Sequence, residues 1–284
     1  MTSWKTILSA ILLPTLFVGS LYAGTNDGKL LATAGVTQIE GSAGGGLVPW
    51  AVISGYGSRD EVAATVSTTQ VSTTDYRLDV TSAAIGLYDK VELSYAKQRF
   101  TLSSLGGDIQ QEVFGAKVKL YGDAVYGVWP QVSAGLHHKR LKDYVIADAV
   151  GAKESSSNTD YYLAATKVHL GLAAGFNVVW NVTGRLTKAN QTGFLGYGSV
   201  SDTSHNLMME GSAGILLSRN LVIGVEYRQK PDNLGLGEDD WYDIFVAYVP
   251  NKNVSLTLAW AKLGSIAGAT GQEGLFLNLT GKLW

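Results

Sequence analysis

The feature that most constrains this chain is a side-chain period of two, sustained over many segments of about ten residues. Leu221, Ile223, Val225 and Tyr227 alternate with Val222, Gly224, Glu226 and Arg228, and Val254, Leu256, Leu258 and Trp260 alternate with Ser255, Thr257, Ala259 and Ala261. Phe114, Ala116, Val118 and Leu120 alternate with Gly115, Lys117, Lys119 and Tyr121, while Tyr76, Leu78 and Val80 alternate with Asp75, Arg77, Asp79 and Thr81. Neighbouring side chains of a strand point to opposite faces, so each run has one apolar face and one polar or small face. A soluble sandwich alternates in the same way, but its strands are typically about five or six residues long. Runs of about ten residues fit strands tilted across a membrane.

The connections carry a second rhythm. Asp89-Lys90, Gly122 to Gly127, Ser218 to Asn220 and Pro250 to Asn253 are tight and rich in turn residues. Longer polar loops fall between them at 57–74, 103–109, 140–159, 188–204, 231–240 and 264–272. Short turns on one side and long loops on the other are the habit of an up-and-down membrane barrel. The expected strands lie near 47–56, 75–87, 91–102, 110–121, 128–139, 160–170, 175–187, 205–217, 221–230, 241–249, 254–263 and 273–284. The expected fold is therefore an all-β, antiparallel, transmembrane barrel of about 12 strands over 47–284. Residues 24–46, rich in Gly, are expected ahead of it as a periplasmic tail or a plug. The run 30–39 also alternates, but counting it would break the even parity.

Both ends fit export. Lys5 precedes an apolar stretch from Ile7 to Val18, and small residues follow, so 1–23 reads as a signal peptide cut after Ala23. That stretch is shorter than the ~20 residues of a spanning helix, and no later run is long and apolar enough to be one. The chain stops at Trp284, at the end of a strand carrying Leu275, Leu277 and Leu279 on alternate positions. This resembles the terminal aromatic of outer-membrane barrels that barrel-assembly machinery reads. The three leucines fall on the face opposite Trp284, which suggests a bulge near Gly281.

Composition narrows the function classes. The 284 residues carry 22 Lys and Arg against 24 Asp and Glu, a balance that gives no footprint for nucleic acid. There is no cysteine, which excludes disulfides, thiolate metal sites and a lipoprotein anchor. Seven Trp and 14 Tyr against 7 Phe favour a surface with apolar and wet neighbours side by side. Trp50, Trp129, Trp180, Tyr227, Trp241, Tyr248 and Trp260, with Tyr56 and Tyr242, are the candidates for membrane-interface girdles.

The stretch Gly28 to Gly41, then Gly44-Gly45-Gly46-Leu47-Val48-Pro49-Trp50-Ala51 and Gly55-Tyr56-Gly57, resembles an uncharacterised proteobacterial family, domain of unknown function 3034. Tyr76 and the run Gly86 to Ser94 look like the same family. The resemblance implies an outer-membrane type of protein and supplies no activity and no functional residues.

Lipid-facing Lys or Arg costs roughly 2–4 kcal/mol at the bilayer midplane, so the charges of the strands are expected to face the lumen. These are Arg77, Asp79, Glu92, Lys117, Lys119, Arg185, Glu226, Arg228 and Asp243. They could line a pore for a small solute, or pair with one another in a filled lumen. A second reading is a non-conducting barrel that presents loops 140–159 and 188–204 outside. A third is a lipid-modifying enzyme at the rim using His138 and His205. No cofactor or metal site is expected: His137 and His138 are adjacent and face opposite ways, and His169 and His205 stand apart. Outer-membrane lipid is the expected surrounding.

Overall fold

In the computed structural model, which describes residues 28–104, 106–152 and 155–283, the chain forms a closed barrel behind a short N-terminal segment. The expected signal peptide at 1–23 and Trp284 lie outside the described residues. Two strands of two residues each, β1 (Val36–Thr37) and β2 (Ala43–Gly44), pair with each other. The barrel follows as β3 (Val62–Ser72), β4 (Tyr76–Leu87), β5 (Val91–Leu102), β6 (Asp108–Tyr121), β7 (Gln131–Leu141) and β8 (Ser157–Ala173). It continues with β9 (Phe176–Thr187), β10 (Asn206–Ser218), β11 (Leu221–Arg228), β12 (Trp241–Asn251), β13 (Val254–Lys262) and β14 (Glu273–Lys282). Each strand pairs antiparallel with its sequence neighbour, and β14 pairs with β3 to close the ring.

Twelve barrel strands were expected, but the first is a different segment. Residues 47–56 form no barrel strand; the first one is β3, inside the stretch expected to be a loop. The misreading has a physical cause. Leu47 to Ile53 is an apolar run and looks like a strand, whereas β3 carries mostly Thr, Ser and Ala and shows little contrast between its faces. The barrel therefore begins near Val62 rather than at Leu47.

The barrel is inverted relative to a soluble protein. Ile244, Trp260 and Leu275 are 61, 52 and 60% exposed on the outside, while Ser133, Thr183 and Asn278 are 0% exposed inside. Water would not tolerate so much outward apolar surface, and closure leaves no strand edge unpaired. The expected bulge near Gly281 is absent: β13 and β14 keep one register from Val254↔Gly281 to Lys262↔Glu273, with Leu275, Leu277 and Leu279 facing lipid.

The girdle candidates divide between the outer surface and the interior. Trp129 is exposed in the turn before β7, Trp180 and Tyr248 face outward towards the same, periplasmic end, and Tyr227 and Trp260 face outward towards the other. Tyr227 and Tyr242 pack with ring centroids 5.2 Å apart. Trp50, Tyr56 and Trp241 are not girdle residues, because all three are buried within the protein.

Candidate functional site in the occluded lumen

The lumen gathers the barrel's buried polar side chains, and the chain's own N-terminal segment fills it. Residues 37–56 are buried throughout, and the inward side chains of strands around the whole ring hold them. Gln98 on β5 donates to the Ile39 carbonyl at 2.7 Å, and Asn278 on β14 donates to that of Thr37 at 3.3 Å. Gln131 and Ser133 on β7 donate to the Ala51 carbonyl, and Thr166 on β8 accepts from the Ala51 amide at 2.8 Å. Thr183 on β9 donates to the Pro49 carbonyl at 2.8 Å. The segment bonds part of its backbone internally, as Ile39 N to the Gly46 carbonyl and Trp50 N to that of Ala43, and the wall satisfies groups that these turns leave over.

Three charged anchors reinforce this plug. The first is Glu40, fully buried and 2.5 Å from Lys139 Nζ, 3.0 Å from Arg185 Nη2 and 3.0 Å from Arg228 Nη2. Asp160 sits 2.7 Å from Lys139, and Glu210 accepts from Arg185 Nε at 2.5 Å. Three cations thus face three carboxylates, with His137 Nδ1 3.6 Å from Glu40. Burial alone would push the Glu40 carboxyl up, but Arg185, Arg228 and Lys139 outweigh it and hold it well below the usual carboxylate range.

The second anchor is the Lys117–Glu92 pair, 3.1 Å apart. Lys117 donates to the carbonyls of Ala43 and Val52, and Glu92 accepts from the amides of Ala43 and Ser54. The third is Glu226, which accepts from the amides of Gly46 and Leu47, both at 2.6 Å, and from Ser212 Oγ. Trp50 Nε1 donates to the same Ser212 hydroxyl at 2.9 Å. The triple glycine is explained here. A Cβ on Gly44 would lie 2.2 Å from the Val48 carbonyl oxygen, and one on Gly45 would lie 1.8 Å from Glu226 Oε1. At the periplasmic mouth Lys29 reaches the carbonyls of Ile53 and Gly55 and shares Asp89 with Lys119.

Of the nine charges expected in the lumen, the structure brings Glu92, Lys117, Arg185, Glu226, Arg228 and Asp243 inside, and Lys119 faces inward at the rim. Arg77 and Asp79 are a correction. They lie on the outer surface as a pair 2.9 Å apart, with 44 and 39% of their side chains exposed. Tyr76, Leu78 and Val80 point inward instead, because the plug offers Ile39 and Leu47 as apolar partners. Asp243 sits across the β11–β12 register from Glu226, and among the described residues neither of its oxygens has a hydrogen-bond partner. Arg228 and Lys230 lie over the Trp241 ring at 5.6 and 5.5 Å.

The outer mouth is also closed. Residues 189–199, expected to reach outward, fold into the barrel: Phe194 stacks on Phe100 at 5.0 Å, and Tyr197 Oη donates to Gln111. The loop 140–159 instead carries a short helix, α1 (Val145–Ala149), and keeps several exposed residues. Three cavities beside the plug measure about 20–30 Å³ each, room for water but not for a larger solute.

His138 Nδ1 lies 2.9 Å from Thr159 Oγ1, and His205 Nε2 lies 3.1 Å from the Thr159 carbonyl, both at the outer rim. A hydrolase needs a further group to orient the base, and His138 has no carboxylate or amide bonded to its other nitrogen among the described residues. His137 is the buried lumen histidine, and His169 accepts from Trp180 Nε1 on the outer surface. No sequence pattern marks Glu40 as the centre of the lumen. It lies outside every expected strand, and its partners Lys139, Arg185 and Arg228 are remote from it in sequence.

A family model described as "Protein of unknown function (DUF3034)" matches residues 33–280. No curated protein matches the sequence. Among solved structures, the barrel resembles the KdgM porin with a TM-score of 0.50 and 10% identity, over 76% of this chain and 98% of that one. It also resembles the outer membrane protein Omp33 of Acinetobacter baumannii, with a TM-score of 0.48 and 8% identity over 79 and 99% of the two chains. The NanC porin gives 0.47 and 8% over 77 and 98%. At these identities the likeness is one of fold.

Proposed function

We propose that this protein, which belongs to the DUF3034 family, is a porin-like outer-membrane barrel that its own N-terminal segment holds shut. In this reading a small solute passes only when that segment shifts. The carrying observation is the ring of wall-to-plug hydrogen bonds around residues 37–56, centred on Glu40. The anchors are polar and charge-assisted, so water and solute groups can replace them once an opening begins. Lumen-facing charges of both signs would then border the passage. Insertion by barrel-assembly machinery, with Trp284 as its signal, belongs to the same proposal.

A second reading is a barrel that conducts nothing. The apolar contact of Ile39 and Leu47 with Tyr76, Leu78 and Phe100 favours it, because withdrawing the plug would expose that surface. Uptake of graded sugars and ions into lipid vesicles separates the two. The gated reading expects little uptake by the wild type and size-limited uptake by Glu40→Gln. A Glu40→Gln barrel that is folded, as judged by heat-modifiable migration, yet admits nothing would favour the closed barrel.

A further inference from the structure

The outer surface of the barrel differs from one side to the other. On β9 every outward position from Phe176 to Leu186 is apolar, and the same holds on β10 from Leu207 to Leu217. Each run covers roughly 33 Å of strand at about 3.3 Å per residue, or roughly 25 Å of height at a tilt of about 40°. That equals the apolar band of a membrane barrel. On β4 and β5 the outward apolar runs are only Ala83 to Leu87 and Val91 to Tyr95. By the same arithmetic they span roughly 10 Å of height.

Above these short runs the outer half of β4–β7 is charged. Three ion pairs lie there: Arg77–Asp79 at 2.9 Å, Arg99–Asp108 at 3.4 Å and Lys142–Glu112 at 2.6 Å. Two further cations remain. Lys97 and Arg140 sit on either side of Glu112 in the strand register, and Lys97 has no hydrogen-bond or ion-pair partner among the described residues. Just beneath them Tyr95 and Phe114 pack at 5.1 Å, and Tyr95 Oη donates to Glu112 at 3.2 Å, as aromatics do at a headgroup boundary.

We propose that this sector, the outer half of β4–β7, binds a phosphorylated lipid of the outer leaflet, with Lys97 and Arg140 as its phosphate contacts. Hydrocarbon at the height of Lys97 and Arg99 would leave these cations unsolvated, so an anionic headgroup drawn down to them relieves the mismatch. The excess of cations selects phosphate. A protein partner fits less well, since interface cores are depleted of charge and this sector has no apolar centre. The inference rests on the barrel lying in the outer membrane and not on whether its lumen conducts.

The probe is a bisphosphorylated lipid A, compared with its dephosphorylated form, each added to the full-length protein in detergent and followed by native mass spectrometry. The wild type is expected to retain the bisphosphorylated form about tenfold better. A Lys97→Gln/Arg140→Gln variant is expected to lose that preference, while Lys262→Gln on β13, outside the sector, keeps it. Equal retention of the two lipids by the wild type would overturn the proposal, and this comparison holds even if the double variant does not fold. So would an unchanged preference in a folded double variant. A cross-link from a Lys97→Cys variant to a second protein, without any phosphate preference, would also overturn it.

Discussion

The change Glu40→Gln probes the plug at its most charged point. The wild-type network sets Glu40, Asp160 and Glu210 against Lys139, Arg185 and Arg228, all buried. The glutamine keeps the shape but leaves three cations facing two carboxylates. Breaking a buried ionic network by removing one partner typically costs about 3–5 kcal/mol. The plug can escape that cost by leaving the lumen, which lets water reach the uncompensated cation. At about 1.4 kcal/mol per factor of ten, the equilibrium for plug opening should rise by roughly two to three and a half orders of magnitude. The chain has no cysteine, so a single Ala51→Cys reports on this directly. Ala51 is 0% exposed and hydrogen-bonded to β7 and β8, so its thiol reacts with a maleimide only when the plug opens. Labelling should speed up by at least about a hundredfold in the Glu40→Gln background. A change of less than about threefold, with the barrel folded, would refute Glu40 as an anchor.

Four other outcomes follow from the same geometry. Asp243→Asn should leave the urea unfolding midpoint in lipid unchanged or raise it, because it removes an unpartnered carboxylate facing Glu226; a loss above about 1 kcal/mol would contradict this. Gly44→Ala should speed labelling of Ala51→Cys without abolishing heat-modifiable migration, since its Cβ meets backbone at 2.2 Å in the plug and not in the wall. Leu78→Ala should cost about 2–5 kcal/mol by unfolding in lipid, and Arg77→Ala under about 1, the reverse of what a lumen-facing Arg77 would give. The Glu40 carboxyl is depressed in the folded protein, so its stabilisation is present above its ordinary value of 4.5 and is lost as pH falls below that. The stability gap between wild type and Glu40→Gln should therefore hold from pH 8 to 5 and narrow only below about 4.5.

The alternation along β11, β13 and β6 made the barrel legible, because a half-apolar strand shows its period in the residues themselves. The short and long connections made the strand count legible. The plug was harder to see. Residues 47–56 and β3 exchanged roles because strand propensity depends on what a segment packs against. Leu47, Val48 and Ile53 are apolar because they are buried inside the barrel, and Thr65, Ser67 and Thr69 are polar because their inward face meets that plug. Arg77 and Asp79 were misplaced by a rule that holds only at hydrocarbon depth. Near the outer rim a charged pair can face outward, and an apolar face can turn in towards Ile39 and Leu47. Six of the wall charges were legible as lumen residues, but Glu40, which pairs with Arg185 and Arg228 among them, was not, since nothing local distinguishes a plug glutamate from a loop one.

The central claim is that the lumen of this outer-membrane barrel is filled by its own N-terminal segment. Ion conductance of the full-length protein in a planar bilayer tests it most directly, measured beside Glu40→Gln. The inserted wild type should show no steady conductance, and the variant should show discrete openings. A wild-type barrel that holds a large, stable conductance from the moment of insertion would contradict it.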